Sequence, residues 1–256
     1  VHAYDTYMNT LFHRLLEWLY AIGASVIILS ATLPAETRRA LVKAYTGREL
    51  EASEPAYPAL TIAASGHQPQ QIALDSPQDY TVQLDWSVGR ELEAIAAFLK
   101  KELAKGGCTA VLCNTVRRAQ DIYKALQSAD LDIPEDDLIL FHARFPPIWR
   151  QQIEKKVLKK FGKPDENGRS PHRPQRAVVV ATQVIEQSLD LDFDLMSTDL
   201  APIDLVLQRA GRLHRHKRDA TERHGHARRL VITEPATDKG ELPDFEVDTY
   251  VYEPYV

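Results

Sequence analysis

Short apolar runs alternate with stretches of helical periodicity along almost the whole chain, and this alternation restricts the fold more than any single motif does. Met8, Leu11, Leu15, Leu19 and Ile22 recur at three and four residues, the spacing of a helix with one apolar face. Ser25-Val26-Ile27-Ile28-Leu29 follows as a short strand, and Pro34 fits the first position of a helix that runs to Tyr45 and stops at Gly47. A weaker strand is expected at residues 60–63. Residues 64–79, rich in Gly, Pro, Gln and Ser, read as a linker. Beyond it Tyr80, Val82, Leu84 and Trp86 alternate strictly, as at a half-exposed sheet edge, and Leu92, Ile95, Ala96, Leu99 and Leu103 mark a long helix ended by Gly106-Gly107. Further strands are expected at 109–113, 138–141, 177–181, 195–200 and 230–233, and helices at 116–128, 147–161 and 203–212. Apolar strands separated by helices indicate an α/β fold with parallel sheets covered on both faces. Residues 162–175, rich in Gly, Pro and charge, read as a mobile loop.

Composition narrows the class. With 256 residues the chain exceeds one typical domain, and 44% hydrophobic with 26% charged residues is ordinary for a globular protein. There is no apolar run of the roughly 18 residues that a membrane-spanning helix needs. Val1-His2-Ala3-Tyr4-Asp5 lacks the features of a signal peptide and reads as an internal start. Cys108 and Cys113 make no disulfide framework, so a reducing cytoplasm is expected. A formal charge of −5 argues against a general polyanion binder. Even so, Arg209, Arg212, Arg215, Lys217, Arg218, Arg223, Arg228 and Arg229 face only Asp219 and Glu222 locally, which suggests a specific anion site. His214, His216, His224 and His226 fall in that patch, and no metal site is expected.

Ligands of such sheets sit beyond the carboxyl ends of the strands. Four segments are read there or just after: Ser30-Ala31-Thr32, His142-Ala143-Arg144-Phe145, Thr182-Gln183 leading to Asp190, and Gln208-Arg209-Ala210-Gly211-Arg212-Leu213-His214-Arg215. Arg212 and Arg215 would project from one face of a helical turn, Gly211 would permit close backbone approach, and an arginine fork holds phosphate bidentately. A solvated basic helix end would have the same sequence. Ser30, Thr32 and Thr182 could equally be helix caps.

Taken in order, these segments resemble the superfamily 2 helicases: Ser30-Ala31-Thr32 as motif III, Thr182 to Asp190 as motif V, and Gln208 to Arg215 as motif VI. Val1-His2 is similar to the end of a DExH box. The phrases Val1-His2-Ala3-Tyr4-Asp5-Thr6-Tyr7-Met8 and Ala181-Thr182-Gln183-Val184-Ile185-Glu186-Gln187-Ser188-Leu189-Asp190-Leu191-Asp192 resemble the CRISPR-associated helicase–nucleases of type I systems. The resemblance implies RecA-like lobes: the end of a first at 1–63, a second at 80–235, and a connection beginning at 236–256. It implies ATP and Mg²⁺ as cofactors, with the Mg²⁺ carboxylates and phosphate loop upstream of residue 1. Arg212 and Arg215 would be arginine fingers, Gln208 would place water or phosphate, and His2, Ser30 and Thr32 would couple the nucleotide. Asp190, Gly211 and Arg209 would lie at the nucleotide, and Asp190 would meet the ribose. Thr182, Gln183, Asn114, Thr115 and Arg144 would grip single-stranded DNA. An RNA-guided surveillance complex is the implied partner. No G-x-x-x-x-G-K-[ST] loop and no His-Asp dipeptide of a nuclease site occur, so the fragment alone is expected to be inactive. A non-hydrolysing binding module and a DExH helicase of RNA metabolism or repair are the competing readings.

Overall fold

The computed structural model describes residues 6–30, 33–51, 57–75, 80–186 and 189–233, and the chain divides between Tyr80 and Thr81 into two compact units. The first contains α1 (Thr6–Ala21), α2 (Ala35–Thr46), β1 (Ala59–Ile62) and β2 (Gln70–Ala73). α2 ends at Gly47, whose left-handed φ of 70° lets its N–H reach Lys43 O at 2.8 Å. The two helices meet through Tyr20 and Tyr45, whose rings lie edge-on at 5.2 Å, and Tyr45 donates to Ala24 O. β1 and β2 form an antiparallel ribbon, so the stretch 64–79, expected as a linker, carries a strand. The strand expected at 25–29 does not form. Its residues alternate in exposure, with Ile27 87% and Leu29 84% exposed, but no described strand pairs with them. A strand exists only through its partner's hydrogen bonds.

The second unit is a six-stranded sheet in the order β3 (Gln83–Asp85), β8 (Arg229–Thr233), β7 (Leu195–Asp199), β4 (Gly107–Leu112), β6 (Arg176–Ala181), β5 (Leu138–Phe141), with every pair parallel. The central strands β7 and β4 are buried at every position because both faces are covered, although Thr109, Ser197, Thr198 and Asp199 are polar. Cys108, Ala110 and Leu112 of β4 pack on the side of α5 (Pro147–Phe161) and α6 (Ile203–Ala210). Val111, Val178 and Val180 pack on the side of α3 (Leu92–Leu103) and α4 (Val116–Ser128). β3 lies at the edge, as expected, but Leu84 and Trp86, on the face that the alternation would bury, remain exposed.

Two expectations need correction. α6 stops at Ala210, not 212, and Gly211 keeps an ordinary φ of −64°. The loop 162–175 is anchored: Gly162 bridges to Leu191, and Arg173 donates to Asp192 O and Asp194 Oδ1, both at 2.9 Å. The terminal stretch 236–256 lies outside the described residues, as do His2 and Thr32.

Candidate functional site

Residues 182–194 cross the sheet from one edge to the other, and the site is built along them. β6 ends at Ala181, and Thr182 opens a single 3-10 turn, Gln183–Ile185, at the carboxyl edge. The described chain then continues to Phe193, which pairs with Leu213, and to Asp194, whose N–H donates to Cys108 O near the start of β4. Gln208–Arg215 therefore ends at the amino edge, not at the carboxyl ends of the strands.

At the carboxyl edge the predicted strand-binding residues divide. Asn114 is buried, its N–H on Asp199 Oδ2 at 3.0 Å and its amide on Leu200 O at 2.7 Å. Gln183 Nε2 donates to the Asn114 carbonyl at 3.1 Å. Thr115 caps α4 by accepting from Arg118 N–H. Asn114 and Thr115 thus hold local structure. Thr182 and Gln183 instead line a cavity of about 390 Å³ with Ala143, Leu189, Arg150 and Glu154. Arg144 is exposed on the turn after β5. Beside it the His142 ring stacks on Phe145, centroids 4.2 Å apart and 8° from parallel. Burial holds the His142 pKa below its ordinary value, and its Nδ1 is buried without a partner. Arg150 and Glu154 were not read as site residues from the sequence. Their signal was the four-residue spacing on the first turns of α5.

The arginines of this stretch meet carboxylates that are remote in sequence, Arg209 beside the carboxyl end of β7 and Arg173, Arg218 and Arg223 toward the amino edge. Arg209, 1% exposed, pairs with Glu186 at 2.6 Å and donates to Thr198 Oγ1 and Asp199 O. It organises the interior and does not present itself to a nucleotide, which corrects its expected role. Arg218 pairs with Asp192 at 2.5 Å; Arg223 bridges Asp192 and Asp194 at 3.0 and 2.9 Å; and Arg173 joins Asp194. Burial alone would raise the Asp192 pKa, but the hydrogen bond from Arg218 and the charge of Arg223 bring it below the ordinary carboxylate value. Arg229 reaches Asp85 and Glu102. The expected basic patch is in large part the interior of an ionic cluster.

Arg212 and Arg215 sit differently. Arg212 donates to the backbone carbonyls of Leu189 and, at 2.7 Å, Glu186. Among the described residues it has no carboxylate partner, and burial, then the neighbouring Arg215 charge, lowers its pKa. Arg215 is exposed and pairs with Asp190 at 2.8 Å, the same oxygen that meets His216 at 3.1 Å. Its N–H is fixed by Asp192 Oδ1 at 2.8 Å. Arg212 is thus a partly desolvated cation held on backbone carbonyls, with the charges of Asp190 and Glu186 nearby, beside a second cation on a half-exposed carboxylate. Gln208 is half-buried on the last turn of α6, and Ser30 is exposed in the first unit. Among the described residues no carboxylate, His or Cys group has the arrangement of a metal site. ATP phosphates suit the donors present, whereas Mg²⁺ finds no ligand set there.

The family model for the C-terminal part of the CRISPR-associated nuclease/helicase Cas3 matches residues 105–218. The CRISPR-associated endonuclease/helicase Cas3 of Thermus thermophilus is 37% identical over 294 residues, covering 100% of this chain and 30% of that protein. The solved structure of T. fusca Cas3 with ATP superposes with a TM-score of 0.80 at 34% identity, covering 98% of this chain and 30% of that one. A chain of a CRISPR RNA-guided surveillance complex in a pre-nicking state gives 0.79 at 34% identity, covering 98% and 32%. The chain spans about 30% of the length of the curated relative it matches, and no described helix is long and apolar enough to cross a membrane.

Proposed function

The chain belongs to the CRISPR-associated nuclease/helicase family, and from that premise we propose that it is part of an ATP-driven translocase on single-stranded DNA, acting with an RNA-guided surveillance complex. Residues 80–235 would be its second RecA-like lobe and 1–63 the end of its first. Arg212 and Arg215 meet the nucleotide phosphates; Thr182, Gln183 and Arg144 hold the strand. The observation that carries this is Arg212, half-buried on two carbonyls and lacking a carboxylate among the described residues. ATP, whose complex is reported for T. fusca Cas3, supplies the phosphoryl group and the free energy of the cycle.

This chain's residues do the positioning. Arg212 keeps its direction because both carbonyls are fixed in the backbone. Arg215 turns from Asp190 to a phosphate, which frees Asp190 for the ribose hydroxyls. Thr182 and Asp190 belong to one short segment, so a displacement at the anion site is transmitted along the backbone to the strand-binding cavity. This is a local route for coupling the two ligands.

The test is ATP hydrolysis, with and without single-stranded DNA, by the longest natural polypeptide carrying these 256 residues. Arg212→Ala and Arg215→Ala are expected to lower DNA-stimulated turnover by about 10³-fold or more while folding is retained. Arg212→Lys should not restore it, because a point charge cannot replace the fork. A folded parent without turnover would favour a binding module.

A further inference from the structure

We propose that Trp149 is a stacking plate for a base of the single strand, a contact that rests on the strand-binding reading above and extends it from phosphates to bases. α5 explains why this tryptophan is unburied. Ile153 and Val157, four and eight residues further along, lie on the same helical face and pack into the core. Trp149 occupies that face one turn earlier, where the helix has run past the carboxyl edge, and it remains 58% exposed with Ile148 at 64%.

Its surroundings have the composition of a single-strand site. Arg150, the next residue, lines the cavity that contains Thr182 and Gln183. Arg144, just ahead of the helix, is exposed, and neither arginine side chain forms an ion pair with a described residue. The parallel His142–Phe145 stack brackets Arg144 just ahead of the helix start, with Phe145 only half-buried. Flat aromatic rings interleaved with uncommitted guanidinium groups suit alternating bases and phosphates. Isolated exposed hydrophobics are common. Here, however, two exposed arginines, Arg144 five residues before it and Arg150 next to it in sequence, accompany the ring on a chain of net charge −5, and that complementarity selects a polyanion over an apolar protein surface.

The measurement is binding of a fluorescently labelled oligothymidylate to the longest natural polypeptide carrying the chain. Trp149→Ala should weaken binding about ten-fold or more, and Trp149→Phe should restore most of it. An abasic strand of equal length should bind wild type and Trp149→Ala alike. Quenching of tryptophan fluorescence by the strand should disappear in Trp149→Phe, a signature that a merely structural side chain would not give. Unchanged affinity in Trp149→Ala, with Arg144→Ala still weakening the strand, overturns the stacking role and leaves the strand-binding reading intact. If neither change matters while wild type binds, both fail. Loss confined to binding of a surveillance complex overturns stacking in favour of protein docking.

Discussion

The two ends of the segment 182–194 manage charge in opposite ways. At the amino edge Arg173, Arg218 and Arg223 are paired with Asp192 and Asp194, whose carboxylates are wholly buried. At the carboxyl edge Arg144 and Arg150 stand near a cavity without ion pairs among the described residues. Most arginines of the first region hold the molecule together, and those of the second are available to a ligand. Arg212 and Arg215 are available because of the first arrangement: the cluster fixes the Arg215 backbone through Asp192 and leaves both side chains at its rim.

The contrast is broken most severely by cutting one buried pair. Arg209→Ala leaves Glu186 charged and without its partner, and should lower stability by about 3–5 kcal/mol in a urea titration. Replacing both partners by apolar residues, Arg209→Met with Glu186→Leu, should recover most of that loss, because no charge is then stranded. A double variant as unstable as the single one would mean that the hydrogen bonds to Thr198 and Asp199 matter more than the ion pair.

Acid acts on buried carboxylates and buried imidazoles at different pH. The Asp192 pKa is depressed in the folded state, so its stabilisation is complete above the unfolded value of about 3.9 and is lost as pH falls through the lower folded value. The His142 pKa is also depressed, by burial. Its neutral form is favoured in the fold, and the associated stability declines once pH drops below about 6.5, where the unfolded chain takes up a proton. Urea midpoints measured from pH 8 to pH 3 should therefore fall in two stages. His142→Gln should diminish the upper stage, to which His214 and His226, also held low by burial, contribute, and Asp192→Asn should flatten the lower. A single stage unaffected by either substitution would place the acid sensitivity elsewhere.

What could be read from the sequence follows from which interactions are local. α4 and the central strands were legible because periodicity and two-sided burial are properties of neighbouring residues, and the parallel sheet followed from them. The strand at 25–29 was misread because pairing is non-local: its apolar run describes a preference, and no described strand completes it. Thr182 and Arg212 were singled out through motif order. The role of Arg209 was missed because local charge counting saw Asp219 and Glu222, whereas the carboxylates that meet this stretch are Asp85, Glu102, Glu186, Asp190, Asp192 and Asp194. A usable signal was present: Asp190, Asp192 and Asp194 alternate with Leu191 and Phe193, and Arg209, Arg212, Arg215 and Arg218 recur every third residue.

The finest test concerns the open end alone. Arg144→Ala and Arg150→Ala should each change stability by no more than about 0.5 kcal/mol, since neither has a partner to strand. Each should instead reduce the dependence of log affinity for single-stranded DNA on log salt by roughly one phosphate's worth, about 0.7, by removing one counterion-releasing contact. Arg218→Ala should behave in the reverse manner, unfolding more readily while the salt slope of the folded fraction is unchanged, because its guanidinium is buried against Asp192. If Arg150→Ala destabilised the chain and kept the salt slope, Arg150 would belong to the architecture through Glu154 across the cavity, and the division between the two ends would move inward from α5 to the turn that carries Thr182.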